Sequence, residues 1–422
     1  MPQAVSSYAV AQAPRALRPA LAGQHAVDVC VVGAGITGCS AALHLAERGY
    51  SVAVIEAETI GFGASGRSGG HLIAGYNLRQ EAIAQKVGTD DAARLWDLSE
   101  DSLRLTHALI DRHAISCHLT PGHVLVAIKP RHVDVLKATA EEWSRLGRPG
   151  VELWDTAKTQ AAIASRRYIG GLHDPGGGHL DPLAYTLGLA RAAEAAGAAF
   201  YEASPMTAWE AGDPAIVQTP AGVLRARFVV LAGNAYLWGR ERRIGRTIMP
   251  VGTYLIATEP LGEDRARALI PGNQAVSDLA FVLDYFRRSP DHRLLFGGGV
   301  SYSRHDPRNI AASLRKTMLR TFPQLADVAV DHAWGGSVAI TLNRLPEFGR
   351  VGPNVLFAHG YSGHGLALAG LAGKLMAEAV AGQAERFDVF TRIPHAAFPG
   401  GTALRTPLLV LGAAWHRLRD LL

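Results

Sequence analysis

The chain has 422 residues, 48% hydrophobic and 19% charged, which is enough for two domains and too apolar for a disordered chain. Its net charge is only +5. Apart from Arg240, Arg242, Arg243 and Arg246 the basic residues are scattered, which argues against a nucleic-acid surface. Three cysteines (Cys30, Cys39 and Cys117) with no CxxC argue against a disulfide framework or a zinc site and fit a reducing cytoplasm.

Residues 1–26 contain no compact apolar core of signal-peptide type and read as an extended N-terminal arm. Residues 27–32, VDVCVV, predict a buried strand. A glycine turn, an apolar helix over 36–48 and a second strand over 52–56 follow, making a βαβ unit. Residues 61–75 form a glycine-rich loop and 80–115 a helical stretch. Short strands mix with a helix at 131–147, and another helix starts at Pro182. Strands are expected near 198–202, 215–218 and 227–232. Over 250–300 the pattern becomes antiparallel, in VGTYLIATE, AFVLDYFRR and HRLLFGGGV. A helix is predicted over 308–321, the strand VLFAH over 355–359 and a helix over 363–380. No apolar run reaches the roughly 18 residues of a membrane span. The amphipathic stretch 407–422 reads as a docking helix, with a membrane-surface helix as the alternative.

These features predict an α/β fold with an α+β substrate part, in which a Rossmann-like dinucleotide-binding domain is interleaved with an antiparallel-sheet substrate domain. The nucleotide domain is expected over 27–114, 166–240 and 346–385, and the substrate domain over 115–165 and 241–345. Residues 386–422 form the tail.

Gly33-Ala34-Gly35-Ile36-Thr37-Gly38 is a GxGxxG between a strand and a helix, with Glu56 at the end of the next strand, 23 positions after Gly33. Gly33 permits the tight turn, Gly35 lets backbone approach a pyrophosphate, and Gly38 lets helix and strand pack. The helix N-terminus favours phosphate, and Glu56, followed by Ala57, can accept from a ribose. A carboxylate there disfavours a 2′-phosphate. FAD and NAD both use such a turn. The lack of a second GxGxxG favours FAD, as does the loop from Gly61 to His71, which has five glycines in eleven positions. Within that loop Ala64, Ser65, Arg67, Ser68, Gly69 and Gly70 are candidate cofactor contacts. Gly360-Tyr361-Ser362-Gly363-His364-Gly365 lies between a strand and a helix. A helix N-terminus there would stabilise negative charge on a reduced flavin.

On VCVVGAGITG, GFGASGR, PGGGHLDPL, VLAGNAYL, RLLFGGGVSY, NRLPEFGR, GYSGHG and FPGG the chain resembles the D-amino-acid-oxidase-type FAD-dependent flavoproteins. Among them it is most similar to the bacterial γ-glutamylputrescine oxidoreductases, from about residue 28 to the end. The resemblance implies oxidation of a primary amine to an imine that hydrolyses to aldehyde and ammonia. It adds Met206, Ala232, Gly233, Tyr361 and Leu366 as cofactor contacts. The family loop usually reads GASGRNGGQ, so Ser68 and His71 depart from it, as does Met206 from a small β-branched residue.

His71 has three readings: a hydrogen-bonding partner of flavin or substrate, an inert loop histidine, or a covalent attachment point. Cysteinyl attachment near the C-terminus is excluded, because no cysteine follows Cys117. Non-covalent FAD is expected. His364 is expected to cap its turn or face the flavin. Period-two alternation over 281–288 puts Phe281, Leu283, Tyr285 and Arg287 on one face, and Val282, Asp284, Phe286 and Arg288 on the other. Tyr285 or Phe286 would wall a substrate pocket, and Asp284 would attract a cationic amine. Trp334 and Asn343 are further pocket candidates. No metal site is expected. The sequence leaves two alternatives open: an amino-acid oxidase using Arg287, Arg288 or Arg344 as a carboxylate clamp, and an electron-transfer flavoprotein subunit. Oxygen or another acceptor would reoxidise the flavin.

Overall fold

The computed structural model describes residues 5–237, 242–302 and 307–399. The side chains of residues 240–243 and the anticipated helix over 407–422 lie outside the described residues.

The chain folds around two sheets. In the first, Val355–His359, Gly222–Leu231, Gly23–Val32, Val52–Ile55 and Ala199–Tyr201 run parallel in that spatial order, with Glu347–Arg350 antiparallel at one edge. The valine-rich ends of these strands are buried, as parallel strands covered on both faces require. Strand order reverses at Gly23–Val32: the chain turns first to Val52–Ile55 on one side and only later to Gly222–Leu231 on the other. Ligand crevices form at the carboxyl end of such a switch point.

The Ile36–Ala46 helix is buried along its whole length. The Gly365–Val380 helix crosses it at backbone contact. A Cβ on Gly373 would lie 2.5 Å from the Thr37 carbonyl oxygen and the Ala41 nitrogen. Ser40 Oγ donates to the Gly370 carbonyl at 2.6 Å. That crossing fixes the start of one helix relative to the start of the other.

The second sheet runs Val330–Thr341, Ile248–Thr258, Leu294–Ser301, Tyr285–Arg288, Ala275–Asp278, Thr120–Ala127, Gly170–His179 and His71–Leu72. It is antiparallel except where Ala275–Asp278 pairs with Thr120–Ala127. The 166–240 segment is therefore divided. Gly170–His179 pairs with Thr120–Ala127 in the second sheet, whereas Ala199–Tyr201 and Gly222–Leu231 belong to the first. His71–Leu72 also joins the second sheet, so the glycine loop before it spans from one sheet to the other.

The N-terminal arm is not extended throughout. Ser7–Ala11 is a short helix capped by Ser6, and Tyr8 is buried. Arg15 and Arg18 pair with Glu202 and Glu194 on the first domain. Gly88, at φ +85°, divides the expected 80–115 helix into Gln80–Val87 and Thr89–Arg112. Among the described residues no single helix is long and apolar enough to cross a membrane.

Gly373→Ala places a methyl where backbone already stands, and overpacking of that kind costs roughly 1–3 kcal/mol. The variant should melt several degrees below the parent in a thermal scan. An unchanged melting curve would mean that the two helices separate without cost.

Candidate active site

Three turns converge at the carboxyl ends of the parallel strands. Gly33 has φ +104°, and a Cβ there would lie 3.1 Å from the Ala232 carbonyl, beside Gly233. A Cβ on Gly38 would lie 1.8 Å from the Gly33 oxygen. Glu56 accepts from the Ala34 N–H at 2.7 Å and from the Glu58 N–H at 3.0 Å, so its first work is to hold the turn from the end of its strand. Burial raises its pKa. Ala57 is exposed beside it, and the 201–206 segment flanks this strand end through the Glu56–Tyr201 and Ser204–Glu56 backbone bonds. The Met206 side chain is buried in the same core cluster as Ile55 and Val32.

Ala64–Gly66 is a single 3-10 turn, and Ser65 Oγ accepts from the Ile36 N–H at 3.0 Å. The missing Cβ of Gly35, which would lie 2.8 Å from Ser65 Oγ, makes room for that contact. The N–H groups of Gly35 and Thr37 have no partner among the described residues, and both residues line the cavity. Thr37 Oγ1 and Tyr361 Oη share a buried hydrogen bond of 2.8 Å that ties two helix starts together. In the third turn Gly360 donates to Asn234 Oδ1 at 3.0 Å, and Ser362 and Gly363 both have positive φ. His364 is the N-cap of Gly365–Val380 and makes no side-chain cap bond.

A cavity of about 690 Å³ joins these turns to the second sheet, within the size range of cofactor and substrate sites. Ala64, Ser65, Arg67, Ser68, Gly69 and Gly70 line it, with Ala232, Tyr361, Gly363, His364, Gly365 and Leu366. Gly33, Ala34, Gly38, Glu56, Gly233 and Gly360 belong to the turns beside it and are not among its lining residues. Open N–H groups at a helix start, a cradle that Cβ atoms would fill and a cavity continuing past it are what FAD requires.

On the substrate side His71, Ser277 and Tyr285 gather on one wall. His71 stands edge-on to Tyr285 at 5.5 Å and to His123 at 5.8 Å, and its Nδ1 is 3.4 Å from Ser277 Oγ. Burial holds its pKa well below the usual histidine range, with His123, Arg287 and His179 adding like charge. His364 is pushed down to about 4 by burial. Both rings are therefore neutral at ordinary pH.

Four anticipated pocket residues lie elsewhere. The strand covers only Tyr285–Arg288, because Asp278 Oδ1 accepts from the Ala280 and Asp284 N–H groups and folds 279–284 into a tight loop. Asp284 is ion-paired with Arg167 at 2.8 Å and is no free acid for an amine. Phe286 is fully buried in the core, stacked on Phe296. Trp334 is fully buried and donates to the Arg67 carbonyl at 2.9 Å, so it supports the loop. Asn343 donates to the Pro394 carbonyl and accepts from the Leu345 N–H. Phe281 and Leu283, which the alternation set on the face of Tyr285 without naming them as pocket residues, line the cavity from the 279–284 loop, and Trp96, Glu142 and Trp143 join them from helices that the sequence did not point to. Of the three arginines considered as clamps, only Arg344 lines the cavity. Arg287 and Arg288 face a separate polar cleft.

The chain belongs to the DAO family of FAD-dependent oxidoreductases, whose family model matches residues 28–379. It is 44% identical to the γ-glutamylputrescine oxidoreductase of Escherichia coli K12, over 93% of this chain and 92% of that protein. It is 25% identical to the glycine oxidase of Geobacillus kaustophilus, over 86% of this chain and 96% of that one. The crystal structure of that glycine oxidase superposes with a TM-score of 0.72 at 23% identity, covering 85% of this chain and 95% of the other.

A Cβ on Gly365 would come within 3.2–3.4 Å of Tyr361, so Gly365→Val must displace the ring that braces Thr37. Losing one aligned donor at a developing charge costs about 3 kcal/mol, or roughly a hundredfold. Sulfite affinity and anaerobic flavin reduction should fall together in the purified variant. A lower melting temperature with normal sulfite binding would instead make this glycine a packing residue only.

Proposed function

We propose that the chain oxidises the primary amine of γ-glutamylputrescine to an imine, which water converts to an aldehyde and ammonia. The observation that carries this reading is the 44% identity to a γ-glutamylputrescine oxidoreductase over 93% of the chain. The cavity is consistent with it, since its lining continues from the glycine turns to aromatic and apolar groups near His71. FAD, held without a covalent bond, supplies the acceptor for the hydride that leaves the carbon beside the nitrogen. None of the three cysteines lines the cavity.

The chain's own residues bind, orient and dry the substrate. Only a neutral amine has the lone pair that assists hydride loss, and burial against Tyr285, Phe281 and Leu283 disfavours the ammonium. Arg344, half-buried on the cavity wall, is placed to receive the carboxylate of the glutamyl end. Oxygen or another acceptor would take the electrons that bound FAD collects.

The second reading, oxidation of a free amino acid, draws on the same arginine and on the likeness to a glycine oxidase. One experiment separates the two. Flavin reduction is followed anaerobically with γ-glutamylputrescine, putrescine, glycine and sarcosine, in the parent and in Arg344→Gln. γ-Glutamylputrescine should be fastest. Arg344→Gln should cost it about tenfold or more in kcat/KM, the worth of a hydrogen bond to a charged group, while leaving putrescine unchanged. Faster reduction by glycine would overturn the substrate assignment, and an equal loss with putrescine would remove Arg344 from carboxylate recognition.

His71 and His364 are buried bases with depressed pKa values, so neither gains a proton until the pH falls far below neutrality. The acid limb of kcat/KM should therefore report the substrate's own ammonium and keep its midpoint in His71→Asn. A midpoint that moves with this substitution would make the histidine the titrating group.

A further inference from the structure

Five consecutive carbonyls of the second glycine loop are each held by a donor from outside it. Gly66 accepts from Ser6 Oγ at 3.2 Å, Arg67 from Trp334 Nε1 at 2.9 Å and Ser68 from Tyr8 Oη at 3.0 Å. Gly69 accepts from Arg287 Nε at 2.7 Å and Gly70 from the Leu180 N–H at 2.9 Å. Two of the five donors, Ser6 and Tyr8, come from the N-terminal segment, which lies outside the family match at 28–379.

Tyr8 is the centre of this bracket. Its ring stands edge-on to Trp334 at 5.7 Å, and the Arg287 guanidinium lies 5.7 Å over its face. Arg287 Nη2 donates to the Tyr8 oxygen at 3.1 Å, so one hydroxyl accepts from the arginine and donates to the loop. In a trans peptide the N–H points opposite to the C=O. Fixing the Ser68 and Gly69 carbonyls on the Tyr8–Arg287 side therefore turns the Gly69 and Gly70 N–H groups the other way. Those two N–H groups have no partner among the described residues, and both glycines line the cavity.

We infer that the N-terminal helix is part of the cofactor site: Tyr8 is a positioning residue that aims the Gly69 and Gly70 amides at the bound flavin. The helix lies before the segment that the family model matches, and it preorganises the glycine loop. The inference needs FAD in this cavity but not any particular amine, so its failure and that of the substrate assignment are distinguishable.

The full-length protein is tested as Tyr8→Phe, which keeps the ring and deletes the hydroxyl, as Tyr8→Ala, and as Val10→Ala, an exposed position on the same helix. The apoproteins are titrated with FAD, and the two-electron reduction potential of each holoprotein is measured against a reference dye. Tyr8→Phe should raise the FAD Kd about fivefold, as one net hydrogen bond does, and shift the potential negative with little change in melting temperature. Tyr8→Ala should do more, and Val10→Ala neither. Parental Kd and potential in Tyr8→Phe would make the contact merely structural and overturn the inference. An effect of Val10→Ala equal to that of Tyr8→Phe would do the same. If Tyr8→Ala does not fold, the Phe variant alone decides.

Discussion

The site depends on a backbone approach that no side chain permits. At the carboxyl end of Gly23–Val32 the turn passes so close to its own helix and to Ala232 that a methyl on Gly38 would overlap the Gly33 oxygen at 1.8 Å. The same closeness lets Ser65 reach the first helical N–H, and the Thr37–Tyr361 bond adds the third turn. Segments near residues 35, 65 and 361 are thus fixed to one another before any ligand arrives. A pyrophosphate entering there meets N–H groups already aligned and does not spend binding energy on ordering the chain.

The electrostatics of the cavity follow from burial more than from charge. His71, His123 and His364 are all held neutral by desolvation. Of the nearby acids, Asp284 is bound by Arg167 at 2.8 Å, whereas Asp278 lines the cavity, lies 3.5 Å from the same arginine and is raised to about 7 by burial and by Asp284. Histidines that stay neutral suit a reaction in which the amine arrives neutral and the carbon gives up a hydride. Its demands are orientation and exclusion of water, and rings and aliphatic groups supply both.

The nucleotide half was legible because its signals are local. A glycine spacing, a buried strand and a carboxylate at the next strand end all fall within residues 27–56, and the fold keeps them together. The substrate half was not, because its contacts are set by chain that lies far away in sequence. Alternation over 281–288 fails at Asp284, where hydrogen bonds to Asp278 close the hairpin early. Phe281, Leu283 and Tyr285 still reach the cavity together and Phe286 still points away from it, but the first two do so from a loop rather than a strand. Trp334 has the composition of a pocket wall, and only its Nε1 contact with Arg67 reveals a brace. Tyr8 carries no local signal at all, since a lone tyrosine in a proline-flanked arm gains its meaning from Ser68, Trp334 and Arg287.

The departure from the family loop at His71 acquires a physical sense from its neighbours. Ser277 Oγ lies 3.0 Å from His123 Nε2 and 3.4 Å from His71 Nδ1, and a hydroxyl has one proton to give. If Ser277 donates to His71, then His123 must carry its proton on Nε2, and His71 carries its own on Nε2. That nitrogen is buried without a protein partner, so it presents a donor to the cavity. If Ser277 donates to His123, His71 is protonated on Nδ1 and presents an acceptor instead. Both arrangements leave the rings neutral, and both satisfy Ser277. A ligand atom beside His71 Nε2 therefore selects the tautomer of a histidine two residues removed along the relay, without any group gaining or losing charge. A glutamine in this position could present a donor or an acceptor only by flipping its amide, whereas the imidazole does so by moving a proton between fixed nitrogens, with its ring plane held by Tyr285 and His123.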